Sequence, residues 1–121
     1  MAMMTLHQRE IVEVSFPMPD GEVLIHPALV LSGEDLQSEE DGLFYAVLIS
    51  SKNRHSEFAL PIHDNWLSKP LSKQSYFVTH LVSAFKPEHV TQRYNNYIKE
   101  APFDQVLSKI LSSMFDLEIE L

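Results

Sequence analysis

Residues 16–32 read FPMPDGEVLIHPALVLS, and the punctuation in this stretch decides how the rest of the chain is read. Pro17 and Pro19 cannot donate to a strand ladder, and Asp20-Gly21 favours a turn, so a strand must end at Phe16. Upstream, Glu10 to Phe16 alternates, with Val12, Val14 and Phe16 on one face and Glu13 and Ser15 on the other. That is the pattern of a half-buried strand. Downstream, Pro27 to Ser32 is short and apolar throughout, as a strand covered on both faces would be. His26 stands between them, where an exposed loop is expected to meet a buried strand.

Working outward, Gly33 to Gly42 holds five acidic residues and two glycines and predicts a solvated loop. Leu43 to Ser50 (LFYAVLIS) is the most β-prone apolar segment and predicts a central strand. Ser51 to Ser56 is polar and partly basic. Phe58 to Ile62 predicts a short strand, His63 to Lys73 a loop around Trp66, Ser75 to Val82 another strand, and Tyr94 to Ile98 a last one. The period then changes. Phe103, Val106, Leu107, Ile110, Leu111, Met114 and Phe115 recur at helical spacing, with Pro102 suited to a first turn. These elements predict a mainly β fold with a C-terminal helix, built as a small, partly closed β-barrel that the helix caps. One domain is expected over residues 1–121, with the barrel at about 9–98 and the helix at about 102–116, followed by a frayed acidic tail.

Composition narrows the function classes. The 121 residues are 45% hydrophobic and 10% aromatic, enough for a core. Cysteine is absent, which excludes disulfides, thiolate metal sites and cysteine nucleophiles. The start, MAMMTLHQREIVEV, lacks the features of a signal peptide, and the longest apolar run, Leu43 to Ile49, is far too short for a bilayer. A cytoplasmic protein without membrane contact is expected. Seventeen acidic residues against nine basic ones give a net charge of −8 with histidines neutral. Phosphate backbones are repelled by such a balance unless basic groups cluster locally.

The order of elements, Phe16-Pro17 with Asp20-Gly21, the following Pro27-Ala28-Leu29-Val30-Leu31-Ser32, and the strand ending Leu48-Ile49-Ser50-Ser51 together resemble the MazF/PemK toxin family. The resemblance runs from about Arg9 to Phe115. It implies an SH3-like barrel, a homodimer, and a metal-independent endoribonuclease neutralised by an antitoxin protein. Family members typically carry Arg where this chain has His26, and often Thr where it has Ser50. Some use an acidic residue and an arginine on the strand matching Tyr76 to Val82, where this chain offers Thr79 and His80.

Cleaving RNA through its own 2′-hydroxyl requires a base, an acid for the departing 5′-oxygen, and stabilisation of charge on phosphorus. His26 and His80 are candidates for the acid and base, since imidazole titrates near neutrality. Arg would supply a permanent forked cation that His26 does not. Ser50 is the candidate donor to a phosphate oxygen. Ser51, Lys52, Arg54 and His55 are candidates for holding single-stranded RNA, and Lys69 and Lys73 could extend that basic patch. Each has a plain structural alternative: a histidine bonded at a loop end, a serine capping a ladder, a basic hairpin loop that guards an edge. No metal motif or glycine-rich phosphate loop is present, and no cofactor is expected. Two further readings are a catalytically inactive relative that acts by binding protein, and a gyrase poison resembling CcdB. The last ranks lowest, because Glu118-Ile119-Glu120-Leu121 lacks the aromatic end typical of those relatives.

Overall fold

The structure, a computed structural model, describes residues 5–53 and 56–116. Six strands, β1 (Glu10–Pro17), β2 (Val23–Val30), β3 (Phe44–Ser50), β4 (Ala59–Pro61), β5 (Tyr76–Phe85) and β6 (Val90–Tyr97), form one antiparallel sheet in the order β4-β5-β3-β2-β1-β6. A short helix, α1 (Glu34–Glu39), joins β2 to β3, and a long one, α2 (Glu100–Phe115), follows β6. Among the described residues, no helix is long and apolar enough to cross a membrane.

The sheet is buried on both sides. Val12, Val14 and Phe16 of β1 pack with Ala28, Val30, Ala46, Leu48 and Val78 inside the curl of the sheet. The rings of Phe16 and Phe44 meet Phe85 at 5.3 and 5.6 Å, so β1, β3 and β5 converge on one aromatic cluster. On the other side Ile11, Leu29, Val47, Ile49 and Phe77 receive Phe103, Val106 and Ile110 of α2. The curl does not close into a full barrel. β4 and β6 are its edges, and the chain beyond each meets through a Leu67–Ile98 bridge, reinforced by Ser68 N–H to the Tyr97 carbonyl at 2.9 Å.

Three segments differ from the sequence expectation. Extended pairing of β2 begins at Val23, because the turn is tight: the Met18 N–H donates to the Glu22 carbonyl at 2.7 Å, and Asp20 Oδ1 accepts the Glu22 N–H at 2.9 Å. Gly21 supplies the positive φ of 92° this turn requires. His26 consequently lies within a strand, opposite Val14, instead of at a loop end. The acidic stretch after Gly33 contains α1 in place of a wholly irregular loop. Glu34 and Asp35 occupy its first turn, where the helix dipole favours them. Gln37 anchors it from below, accepting the Leu6 N–H at 2.8 Å and donating to the Leu6 carbonyl at 2.5 Å. On α2, only the first part of the apolar stripe is buried; Phe115 is 58% exposed.

A buried charge ties β1 to β6. Glu10 is 1% exposed and receives both Nε and Nη2 of Arg93, at 2.6 and 2.7 Å. Such a forked contact offsets the cost of desolvating the carboxylate. The hydrogen bond to Glu10 raises the Arg93 pKa above its ordinary value.

Candidate functional site

β2 has two halves with different neighbours. β1 pairs along it from Val23 to Leu29, but β3 pairs with it only from Ala28 to Val30. The Leu31 N–H donates to the Tyr45 carbonyl of β3 at 2.8 Å. Backbone groups alternate sides along a strand, so Leu29 and Pro27 also face β3. Pro27 has no N–H, and the ladder loses its donor at the position where the next bond would form. Below it, β1 and β2 continue as a two-stranded ribbon, and a groove opens between this ribbon and the end of β3.

The groove has a volume of about 480 Å³, within the range of ligand sites. Ile11, Pro27 and Ile49 give it an apolar wall, while His26, Ser50 and Ser51 stand along it. Continuing the β2–β3 register past Ala28 and Leu48 brings His26 opposite Ser50. Both residues also line a second, smaller cavity of about 90 Å³, together with His80, Met18 and Val78. The three residues proposed for chemistry on sequence grounds thus border one cavity, and two of them border both.

His80 reaches this cavity because β5 is irregular. Val47 pairs with Val82 and Leu48 with Val78, so Thr79, His80 and Leu81 bulge out of the ladder with β3. Thr79 secures the bulge from inside: it is fully buried, and its N–H and Oγ1 both donate to the Phe58 carbonyl, at 3.1 and 2.5 Å. Thr79 Oγ1 also lies 2.7 Å from Ser113 Oγ of α2. Thr79 is therefore structural, whereas the His80 ring stands against Phe58 at 4.6 Å between centroids.

Ser50 is buried, and its Oγ accepts the Lys52 N–H at 3.1 Å, which leaves the hydroxyl proton for donation. Ser51 and Lys52 are exposed just beyond β3. Arg54 and His55 lie outside the described residues. Among the described residues no group of three or more His, Asp or Glu is gathered for a metal.

The rest of the lining comes from residues that the sequence alone left unplaced. Lys69, Pro70, Leu71, Ser72, Lys73 and Ser75 line the groove, backed by Tyr94 and Asn96 of β6. The Tyr94 hydroxyl donates to Glu13 Oε2 at 2.8 Å, and burial, followed by this bond, pushes its pKa up to about 12. Nothing local in KPLSK signals a site; only the folding of that loop over β6 brings it there.

No family model matches the chain, and no curated protein is similar to it. Solved structures are. MazF from Deinococcus radiodurans superposes with a TM-score of 0.73 at 13% identity, covering 94% of this chain and 99% of that one. An endoribonuclease from a mycobacterial species covers 99% of this chain and is itself covered completely, with a TM-score of 0.72 at 12% identity. The MazE-MazF complex from Deinococcus radiodurans matches with a TM-score of 0.66 at 15% identity, covering 93% of this chain and 97% of that one. The chain therefore has the MazF-like toxin fold.

Proposed function

We propose that this protein is a MazF-like toxin acting as a metal-independent endoribonuclease on single-stranded RNA, with His26, His80 and Ser50 as its chemical groups. The observation that carries this is the shared cavity bordered by these three side chains. One neutral imidazole takes the proton of a 2′-hydroxyl as its oxygen attacks phosphorus. The other, protonated, delivers a proton to the departing 5′-oxygen as the P–O5′ bond breaks, leaving a 2′,3′-cyclic phosphate and a 5′-hydroxyl. Ser50 donates its hydroxyl proton to a non-bridging oxygen where charge develops. Because one histidine must be charged and the other neutral, the rate is expected to pass through a maximum as pH is varied. A cytoplasmic homodimer restrained by an antitoxin protein accompanies this role, by analogy with fold relatives solved with MazE or with a cognate antitoxin.

The test is incubation of the purified protein with single-stranded RNA in excess chelator between pH 5 and 8, beside His26→Ala. Cleavage by the parent that depends on position 26 and leaves cyclic-phosphate ends supports the assignment. RNA left intact by the parent at every pH removes it.

A non-catalytic, protein-binding role is the second reading. It is favoured by the aliphatic ribbon beside the groove, where Val23 and Ile25 are 63% and 55% exposed. Intact RNA together with a stable complex with a partner protein would select it.

A further inference from the structure

The Lys69–Lys73 loop is held at three points, and the residues that hold it also line the groove. Asn96 is 4% exposed and spends its whole amide on the loop's start. Its Oδ1 accepts the Lys69 N–H at 2.9 Å and the Ser68 hydroxyl at 3.0 Å, and its Nδ2 donates to the Lys69 carbonyl at 2.8 Å. At the other end the buried Ser75 hydroxyl donates to the Lys73 carbonyl at 3.1 Å. Between them Leu71 packs on the helix-side core. Lys69 Nζ additionally reaches the Tyr94 carbonyl at 3.4 Å. A loop ordered this way has lost most of its conformational freedom before any ligand arrives.

We propose that Lys69 and Lys73 form a preformed anion subsite in the groove that His26 and Ser50 also line, which holds a backbone phosphate of the nucleic-acid strand flanking the reacting one. Asn96 and Ser75 are its positioning residues. The proposal rests on the nucleic-acid reading of the groove. It accounts for how a chain of net charge −8 holds a polyanion: two lysines line the same groove and supply positive charge locally. Each lysine that meets a phosphate releases condensed counterions, so its contribution appears in the salt dependence of binding.

The experiment titrates the whole chain with oligothymidylate, which lacks the 2′-hydroxyl and cannot be cleaved, across a series of salt concentrations. RNA cleavage is followed in parallel. Lys69→Gln and Lys73→Gln are expected to weaken binding about threefold each and to lower the log–log salt slope by about 0.7 per lysine. Asn96→Ala is expected to weaken binding while keeping the slope, since both charges remain and only their placement is lost. Ser75→Ala gives the same signature at the other end if Asn96→Ala does not fold. A purely structural role for Asn96 would instead lower the melting temperature and leave the affinity of the folded protein unchanged. Lysine variants with parental affinity and slope overturn the subsite even if RNA is cleaved. Lysine-dependent binding without RNA cleavage keeps the subsite and removes the endoribonuclease reading. No binding of oligothymidylate by the parent overturns the subsite, and lysine-dependent capture of oligoglutamate in its place assigns the groove to an acidic protein segment.

Discussion

The two halves of β2 differ more than any other neighbouring segments of this protein. From Ala28 to Val30 the strand pairs with β3 and is fully buried, and β1 pairs with it through Leu29. From Val23 to Ile25 it keeps only its β1 partner and exposes three consecutive aliphatic side chains. One residue without an N–H, Pro27, stands at the boundary, and His26 is next to it. The lesson is that a candidate site here arises where sheet formation stops. The upper half provides rigidity, and the lower half, where β3 no longer pairs, borders a groove.

Substitutions on either side of the boundary should fail in opposite ways. The largest effect belongs to the lower half: His26→Ala should reduce RNA cleavage by about 10²- to 10⁴-fold, the usual worth of a general acid or base, with the urea midpoint unchanged. In the upper half, Leu29→Ala should cost about 2–5 kcal/mol of stability by urea unfolding, because Leu29 is fully buried among Ile11, Val47 and α2. Ile25→Ala, one turn of the pleat lower, should stay within about 0.5 kcal/mol by the same measurement, since Ile25 is already in solvent. Equal losses for the two would contradict the division of β2 drawn here.

The boundary itself is testable through Pro27→Ala, which restores the missing donor. The new amide is expected to pair toward Ile49, gain protection from hydrogen exchange, and narrow the groove. Cleavage should then fall, by up to about 10²-fold if His26 and Ser50 are shifted by about an ångström. A fully exchanging amide would show that the ladder ends for some other reason.

The last prediction concerns another residue that lines the groove. Tyr94 has its pKa raised from 10.0 to about 12, first by burial and then by its bond to Glu13. The unfolded chain releases this proton at lower pH than the folded one. The corresponding stability is therefore complete below about pH 10 and is lost as pH rises toward about 12. Tyr94→Phe should flatten that alkaline loss in thermal melts taken from pH 9 to 12 and leave the melting temperature near neutrality little altered. An unchanged alkaline slope would mean that Tyr94 is not the group responsible.

Much of the fold was legible because burial in this chain is periodic. The alternation of Val12, Val14 and Phe16, the unbroken apolar run of β3, and the helical spacing from Phe103 to Ile110 each announce one element and its inward face. α1 escaped detection because its anchor is polar: Gln37 is buried by pairing with the Leu6 backbone, which no hydrophobic count registers. The early start of β2 escaped for the converse reason, since Val23 to Ile25 are apolar yet exposed. Of the site, His26, Ser50 and His80 could be nominated through strand ends and family resemblance and Lys69 and Lys73 as extensions of the basic patch, while Asn96 could be nominated by nothing nearby in the chain.

Local pattern in the chain thus sufficed for most strands, for the terminal helix and for the turn at Asp20-Gly21, since each depends on a residue's own backbone or on which face it buries. Tertiary folding alone determined that His80 reaches the His26 cavity through a β-bulge, and that a lysine loop pinned by Asn96 lines the groove. The physical reason is that periodicity records which way a side chain points, whereas its distant neighbours are chosen by sheet order and loop closure.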